Sequence, residues 1–259
     1  MGQITNTIPA KRQQNIMEYL SVNRSITIKE AASLCQVSEA TARRDLDDLS
    51  VQGLLERTHG GAVLEKGTAL EMVHAEKMKV MIPEKTRIAK EAAKLIKNGC
   101  SIFLDSGTTT LLLAGLLSPF KNLTVVTHNL DIAYHIKLDK SSSLIVTGGI
   151  RRDDYGVLIG SIAEELVNKL RVDLAFLGAD AVIPGSGVYN SNFLEIGIKR
   201  SIIHCGESRI LLADHTKFKQ RALTKVCDIE EFDMVITDQG LDEETAGLLK
   251  EGPLKLICV

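Results

Sequence analysis

The chain has 259 residues, of which 44% are hydrophobic and 25% charged, and its formal net charge at pH 7 is −2. This length suits one or two domains, and the hydrophobic content is sufficient for a buried core. The near-neutral balance excludes a polycation that binds nucleic acid through bulk charge. Any DNA binding must therefore depend on local clusters of basic residues.

The cysteines and the apolar segments predict the cellular compartment of the protein. The five cysteines are scattered and form no Cys-x-x-Cys pair, which favours free thiols in a reducing cytosol over a disulfide framework or a zinc site. The first residues, up to Gln14, are polar and lack the apolar core of a signal peptide. No apolar run approaches the length of a membrane span. We expect a cytoplasmic protein with no membrane segment, metal or cofactor.

The N-terminal part carries the pattern of consecutive helices. Residues spaced four apart predict a first helix over roughly 10–22: Arg12, Ile16 and Leu20. Thr27 and Glu30 form a capping box that opens a second helix, which extends to Cys35. Only two residues then precede Ser38, which suits the tight turn of a helix-turn-helix over about 29–48.

The third predicted helix begins at Ser38, a residue type that caps the free N–H groups of a first turn. Its apolar residues share one face: Val37, Ala42, Leu46 and Leu49. Thr41, Arg43 and Arg44 lie outward, and such a helix can enter a DNA major groove. On this segment alone, a surface helix with two solvated arginines fits equally well. The helices that precede it favour DNA, with Ser38, Thr41, Arg43 and Arg44 as the candidate interface.

A hairpin is predicted after this helix, which Gly53 can end. Leu54–Thr58 and Ala62–Leu64 are strand-like, and His59, Gly60 and Gly61 form the turn between them. Residues 1–64 are thus predicted to form a winged helix-turn-helix, here called the winged domain. Residues 65–84 are predicted to be a linker, helical in part between Leu70 and Met78.

This segment resembles the DeoR family of bacterial sugar-metabolism repressors. The residues that carry the resemblance are Arg12, Ile16, Leu20, Ser38, Thr41, Arg43-Arg44-Asp45-Leu46 and His59-Gly60-Gly61-Ala62. Ala42 departs from the family pattern, which more often has isoleucine there. The resemblance implies that Thr41, Arg43 and Arg44 contact DNA.

Residues 85–259, here called the C-terminal domain, alternate between helical and strand patterns. A helical stripe from Ile88 to Ile96, which Gly99 can terminate, comes first. Apolar strands follow near 102–104, 123–127, 144–147, 174–177, 210–213, 234–237 and 254–259, with a helix predicted over 130–137. Continuous apolar strands that alternate with helices indicate an α/β domain with a mostly parallel, Rossmann-like sheet covered on both faces. In such sheets a ligand binds at the carboxyl ends of the strands.

Glycine-bearing polar loops follow three of these strands. Asp105, Ser106, Gly107, Thr108, Thr109 and Thr110 lead directly into a helix, which suits a phosphate, although a simple helix cap fits this loop equally well. Thr147-Gly148-Gly149 and Gly178-Ala179-Asp180 follow two other strands. Three such loops at one edge of a sheet indicate a single concave site.

The DeoR resemblance extends over this domain, whose fold in that family looks like ribose-5-phosphate isomerase. It is carried by Leu104–Thr109, Thr147–Gly149, Gly178–Asp180, Ile198–Arg200 and Asp214–Phe218. It implies a phosphorylated sugar effector, with Asp105 and Asp180 at sugar hydroxyls and Gly107–Thr110 at the phosphate. Lys199 would add charge, and Gly148 and Gly149 complete the predicted site. Lys217 is read as a solvated loop residue. His128 stands where the family usually has asparagine; this difference could alter the choice of effector, but a structural role for the histidine is favoured.

Two functions remain to be compared. The first is a transcriptional repressor of a sugar-utilisation operon, a homo-oligomer (dimer or tetramer) that binds double-stranded operator DNA and is released by the effector. The alternative is a sugar-phosphate isomerase, which needs a general base and a polar clamp. The residues that flank the Gly178-Ala179-Asp180 loop, Leu177 and Ala181, are apolar and supply no further acidic group. Glu195 is a possible general base, but it lies in an ordinary helical segment. The sequence therefore favours a repressor with no catalytic residues.

Overall fold

The computed structural model describes residues 8–64, 77–152 and 156–259. The predicted helical stretch from Leu70 to Met78 lies mostly outside the described residues. Within the described ranges, no helix is both long and apolar enough to cross a lipid bilayer. The five cysteines are free thiols.

The winged domain has the predicted helices and hairpin. The helices are α1 (Pro9–Asn23), α2 (Ile28–Cys35) and α3 (Glu39–Val51), and the strands are β1 (Ser25–Thr27), β2 (Leu55–Thr58) and β3 (Gly61–Leu64). The three strands form an antiparallel sheet in the order β1-β3-β2. Strand β1 was not predicted, because three residues are too few to show an alternating pattern. It exists by pairing with β3.

Local hydrogen bonds explain where α2 begins. Thr27 N donates to Glu30 Oε2 over 2.8 Å, and Glu30 N donates to Thr27 Oγ1 over 3.2 Å. The predicted capping box is therefore confirmed, and it satisfies two backbone donors that the helix itself cannot.

The predicted apolar stripes form the core of the winged domain. Ile16, Leu20, Ala42, Leu46 and Leu49 have no exposed surface. One ion pair lies within this core: Arg12 on α1 donates to both carboxylate oxygens of Asp45 on α3, over 2.7 and 2.9 Å. This pair ties the first helix to the third.

The C-terminal domain is built on a seven-stranded parallel sheet, which confirms the predicted α/β class. The strands are β4 (Ser101–Leu104), β5 (Thr124–Thr127), β6 (Ser143–Val146), β9 (Val172–Gly178), β12 (Gly206–Leu212), β14 (Met234–Thr237) and β15 (Lys255–Cys258). Their order across the sheet is β15-β14-β12-β9-β4-β5-β6. The helices are α4 (Ile82–Ala93), α5 (Thr108–Ala114), α6 (Leu130–His135), α7 (Ser161–Asn168), α8 (Ile196–Cys205) and α9 (Glu243–Lys250). Separate buried apolar clusters pack on the two faces of the sheet.

Two small antiparallel units were not predicted. Strands β7 (Ile150–Arg152) and β8 (Val157–Ile159) form a hairpin. Strands β10 (Ala181–Ile183), β11 (Gly187–Asn190) and β13 (Thr224–Cys227) form a three-stranded sheet. Short 3-10 helices cover Phe193–Glu195, His215–Lys219 and Ile229–Glu231. Helix α4 begins at Ile82, inside the predicted linker, and ends at Ala93, while Ile96 stays buried in the turn that follows.

Candidate functional site

The start of α3 is fixed by Ser38. Its Oγ accepts from the Thr41 N–H over 3.2 Å and lies 3.0 Å from Thr41 Oγ1. Ser38 is thus the N-cap that the sequence predicts, and its hydroxyl already has a partner within the helix. Thr41 remains partly exposed.

Arg43 and Arg44 lie on the exposed face of α3. Across residues 8–64, 77–152 and 156–259, neither guanidinium has a hydrogen bond or an ion pair. Asp47, one turn further along, does have a partner: Arg57 of β2 donates to its Oδ1 over 2.8 Å. This contact joins the third helix to the wing and leaves the two arginines available to an anionic partner.

A cavity opens at the carboxyl ends of β4, β9 and β12, three neighbouring strands of the parallel sheet. Its lining consists of Lys77, Lys85, Ser106, Gly107, Thr108, Thr109, Gly178, Ala179, Asp180, Asn190, Glu195, Lys199, Leu212, Ala213, Asp214 and Lys217. The cavity therefore brings together six of the predicted effector residues: Ser106, Gly107, Thr108, Thr109, Asp180 and Lys199.

The structure places Gly148 and Gly149 outside this lining, contrary to the prediction. They follow β6, an edge strand that β5 separates from β4. Because neighbouring strands are about 4.8 Å apart, that loop lies about 10 Å to the side. Glycine is required at position 149 for the backbone and not for a ligand. Its φ is +115°, and a Cβ there would come 2.7 Å from the carbonyl oxygen of Ile159. Its role in this structure is packing against β8.

Asp105 also differs from its predicted role at a sugar hydroxyl, because it is fully buried beneath the cavity. Its Oδ1 lies 3.0 Å from His128 Nε2. Its Oδ2 accepts from Lys199 Nζ over 2.6 Å and from the Gly178 N–H over 2.9 Å. The carboxylate is thus committed to internal partners, and it anchors Lys199, whose side chain reaches the cavity.

Asp105 and Lys199 each stabilise the charged form of the other. Burial opposes the ionised form of Asp105, but the Lys199 ammonium and the His128 hydrogen bond outweigh it and hold the pKa of Asp105 well below its ordinary range. Burial likewise opposes the charged form of Lys199, and the Asp105 carboxylate outweighs it, so the pKa of Lys199 is raised. The lysine therefore presents a fixed positive charge to the cavity.

Thr110 belongs to the loop and not to the lining. Its Oγ1 lies 2.6 Å from the carbonyl oxygens of both Asp105 and Gly107, so its one hydroxyl hydrogen is used inside the loop. The prediction of a phosphate contact at Thr110 is not supported by this position. The hydroxyls of Ser106, Thr108 and Thr109 do line the cavity.

Asp180 lines the cavity as predicted. Its Oδ1 pairs with Lys77 Nζ over 2.7 Å, and its Oδ2 accepts from the Ser191 N–H over 2.9 Å. Burial opposes ionisation of Asp180, but Lys77 and Lys217 outweigh it and hold its pKa well below the ordinary range. The Asp180 carboxylate is therefore ionised where it faces the cavity, whose lining also contains Lys77, Lys85, Lys199 and Lys217.

Lys77 and Lys85 were not predicted, and Lys217 was read as a solvated residue. Lys85 is buried, and its Nζ donates to the carbonyl oxygens of Lys77 and Val80 over 2.8 and 2.7 Å. Burial lowers its pKa to about 8; Asp214 opposes this shift, while Lys217 and Lys77 add to it. The Lys217 ammonium has no hydrogen bond or ion pair among the described residues; only its backbone N–H is bonded, to the Asp214 carbonyl oxygen over 3.0 Å. The only sequence signal for Lys217 was its position in the Asp214–Phe218 motif.

Glu195, the possible base of the isomerase alternative, is buried and held by two partners. Arg152 forms an ion pair with its Oε1, and Asn190 Nδ2 donates to its Oε2 over 3.3 Å. His128 is fully buried, and its ring nitrogens lie 3.2 Å from the Leu158 carbonyl oxygen and 3.0 Å from Asp105. His128 is thus the structural residue that the sequence predicts.

Known proteins match both parts of the chain. Residues 12–68 match the family described as the DeoR-like helix-turn-helix domain, and residues 81–239 match the DeoR C terminal sensor domain. The HTH-type transcriptional regulator GolR of Listeria innocua is 34% identical, over 91% of this chain and 92% of its own length. The glycerol-3-phosphate regulon repressor of Haemophilus influenzae is 30% identical over 95% of each chain.

One solved structure, a D-ribose-5-phosphate isomerase in complex with phospho-erythronic acid, is 21% identical, covers 55% of this chain and 54% of its own, and has a TM-score of 0.38. The family matches cover the helix-turn-helix and the domain that holds the cavity. The chain therefore belongs to the DeoR family of DNA-binding transcriptional regulators.

Proposed function

We propose that this regulator represses a sugar-utilisation operon by binding double-stranded operator DNA through α3, and that a phosphorylated sugar or sugar derivative in the cavity releases it. The observation that carries the effector class is the lysine cluster. Lys85 and Lys217 line one cavity, and neither has an ion pair with a carboxylate among the described residues. Two such cations suit a phosphate dianion, whose oxygens would make the direct ion pairs that the neighbouring carboxylates Asp180 and Asp214 do not make with them.

The remaining lining residues suit a polyhydroxylated body. Ser106 and Thr109 offer hydroxyls at one side of the cavity, and Asp180, Asn190 and Glu195 offer carboxylate and amide groups at another. A carboxylate accepts from sugar hydroxyls, and an amide can both donate and accept. The name of the Haemophilus relative refers to a glycerol-3-phosphate regulon, which supports the same chemical class.

At the DNA interface, Arg43 and Arg44 read base edges or contact phosphates, Thr41 contributes its hydroxyl, and Ser38 fixes the start of the helix. One winged domain offers few contacts, so we propose a dimer or tetramer whose paired helices read a two-fold operator in the cytoplasm. Sedimentation velocity measures this directly, and a monomer at operator-binding concentrations would contradict it.

A thermal-shift experiment tests the effector. The full chain is heated with ribose 5-phosphate, glycerol 3-phosphate, fructose 6-phosphate or inorganic phosphate, and with the unphosphorylated sugars and glycerol. A ligand that binds only the folded state raises Tm with concentration, so we expect a rise with at least one phosphorylated compound. Equal shifts with its unphosphorylated counterpart would contradict the phosphate assignment.

Lys217→Ala and Lys219→Ala form a matched pair for this experiment. Lys217 lines the cavity, whereas Lys219 is exposed and faces Asp242 at 4.0 Å. We expect Lys217→Ala to abolish the ligand-dependent Tm shift, and Lys219→Ala to keep it. The same shift in both variants would place the ligand elsewhere.

A further inference from the structure

The winged domain and the C-terminal domain touch at the loop between the 3-10 helix His215–Lys219 and β13. Arg221 Nη1 donates to the Gly53 carbonyl oxygen over 3.2 Å. Two residues further, Leu223 packs against the hydrophobic core of the winged domain. A polar and an apolar contact thus join the loop to the domain that contains α3.

Gly53 lies two residues after the end of α3, and glycine is required there for two reasons. Its φ is +67°, a conformation that side chains rarely adopt, and a Cβ at this position would overlap with the Arg221 guanidinium. The guanidinium therefore lies against the backbone where the third helix ends. A displacement of Arg221 changes the support of that helix end.

The 3-10 helix that precedes this loop borders the cavity, and from here on the loop is taken as the whole segment from Asp214 to Leu223. Asp214 and Lys217 line the cavity, and Phe218 is buried in the core of the C-terminal domain. Ala222, between the two residues that touch the winged domain, packs on Ala181, the neighbour of Asp180. The loop from Asp214 to Leu223 is thus anchored along its length, and close packing leaves little space to absorb a movement locally.

We propose that this loop couples the cavity to the winged domain, and that Arg221 and Leu223 are the positioning residues through which a ligand at Lys217 alters the placement of α3 on DNA. The inference rests on the proposed function for the existence of that ligand. A ligand shifts the arrangement of two domains only by binding one arrangement better than another. In this proposal, Lys217 contacts the ligand. Arg221 and Leu223 contact the winged domain, and these contacts differ between the two arrangements of the domains.

The first test needs no ligand. Amide hydrogen exchange is measured on the full chain for the parent, for Arg221→Ala/Leu223→Ala and for the control Lys219→Ala. We expect faster exchange in the double variant at the end of α3 and at Leu54, and parent-like exchange in the control. Identical exchange in the double variant and the parent would overturn the docking contact.

The second test measures coupling. Operator affinity is determined on DNA selected from a random-sequence library, with and without the phosphorylated compound that raises Tm most, drawn from ribose 5-phosphate, glycerol 3-phosphate and fructose 6-phosphate. We expect that compound to weaken operator binding by about tenfold or more in the parent and in Lys219→Ala, and by less than about threefold in Arg221→Ala/Leu223→Ala. The double variant should still bind the compound, with a Kd within about threefold of the parent, because the cavity is intact.

The two proposals fail in different ways. A full tenfold response in the double variant would overturn the coupling role and leave the effector site standing. A parent that none of these compounds releases from DNA would overturn the proposed function, and hydrogen exchange alone then decides whether Arg221 and Leu223 hold the winged domain.

Discussion

Lys199 Nζ lies 2.6 Å from Asp105 Oδ2, and the two side chains are almost entirely removed from solvent. Lys199 comes from α8 and reaches the cavity, whereas Asp105 directly follows β4 and does not reach it. The pair links a helix to the centre of the sheet. It also makes the charge of a cavity residue depend on a carboxylate that no ligand can touch.

Asp105→Asn tests this dependence. Removing one partner of a buried ion pair leaves the other charge uncompensated, which costs about 3–5 kcal/mol. We expect the free energy of opening of β4, measured by native-state hydrogen exchange, to fall by an amount of that order. Asp105→Asn/Lys199→Met should be less destabilised than Asp105→Asn alone, because no unpaired charge remains. A double variant as unstable as the sum of both single variants would contradict the pairing argument.

Lys85 gives a pH-dependent prediction. Burial lowers its pKa to about 8, so above this pH the amine in the free protein is partly neutral. A bound phosphate favours the charged form, so ligand binding near pH 8 should take up a proton. Calorimetric titration in two buffers of different ionisation enthalpy measures this uptake.

The control for this experiment comes from the same helix. Lys90 of α4 is exposed, whereas Lys85 is buried. We expect Lys85→Met to lose the proton uptake and Lys90→Met to retain it. The lowered pKa of Lys85 also predicts how stability depends on pH. Because the folded state disfavours the charged amine, the contribution of Lys85 to the stability of the free protein rises as pH increases from about 8 towards the ordinary lysine range. A parent without buffer-dependent binding enthalpy at pH 8 would refute the assignment.

Arg43→Ala and Arg44→Ala test the DNA interface. Each contact to a base edge contributes about 1–3 kcal/mol per site, and we expect operator affinity to fall accordingly while the circular-dichroism spectrum is unchanged. Arg171→Ala is the matched control, because Arg171 is exposed in the C-terminal domain. Gel-shift titration measures the three variants. If both α3 variants bound like the parent, this face of α3 would not be the interface.

The Arg12–Asp45 pair gives a stability prediction for the winged domain. The buried Arg12 guanidinium donates two hydrogen bonds to the Asp45 carboxylate, so Arg12→Met leaves Asp45 without its counter-charge. We expect a loss of about 3 kcal/mol in the free energy of opening of α3, measured by hydrogen exchange of its core amides. Arg12→Met/Asp45→Leu should recover part of it. Unchanged protection of α3 in Arg12→Met would show that the ion pair does not hold the helix.

Much of the fold was predictable because its signals are local. The Thr27–Glu30 capping box and the Ser38 N-cap are contacts between residues three apart, and each formed where the sequence places it. The parallel strands are continuous apolar segments whose burial on both faces is visible in their composition. The loops at Ser106–Thr109 and Asp180 were predictable for the same reason: they follow such strands, and the carboxyl ends of parallel strands share an edge.

The rest depended on contacts between distant parts of the chain. Lys77 meets Asp180 across 103 positions, so no local pattern distinguishes this lysine from a solvated one. Lys199 was predicted through the family resemblance, but its buried ion pair with Asp105, which lies 94 positions away, was not. Gly149 was grouped with the site because its loop follows a strand, but the order of strands in the sheet places it to the side. The sequence by itself determined the helices of the winged domain, the strands of the parallel sheet, the domain classes and the family. Only the tertiary structure decided which polar residues face the cavity, because strand order and burial arise from packing between elements.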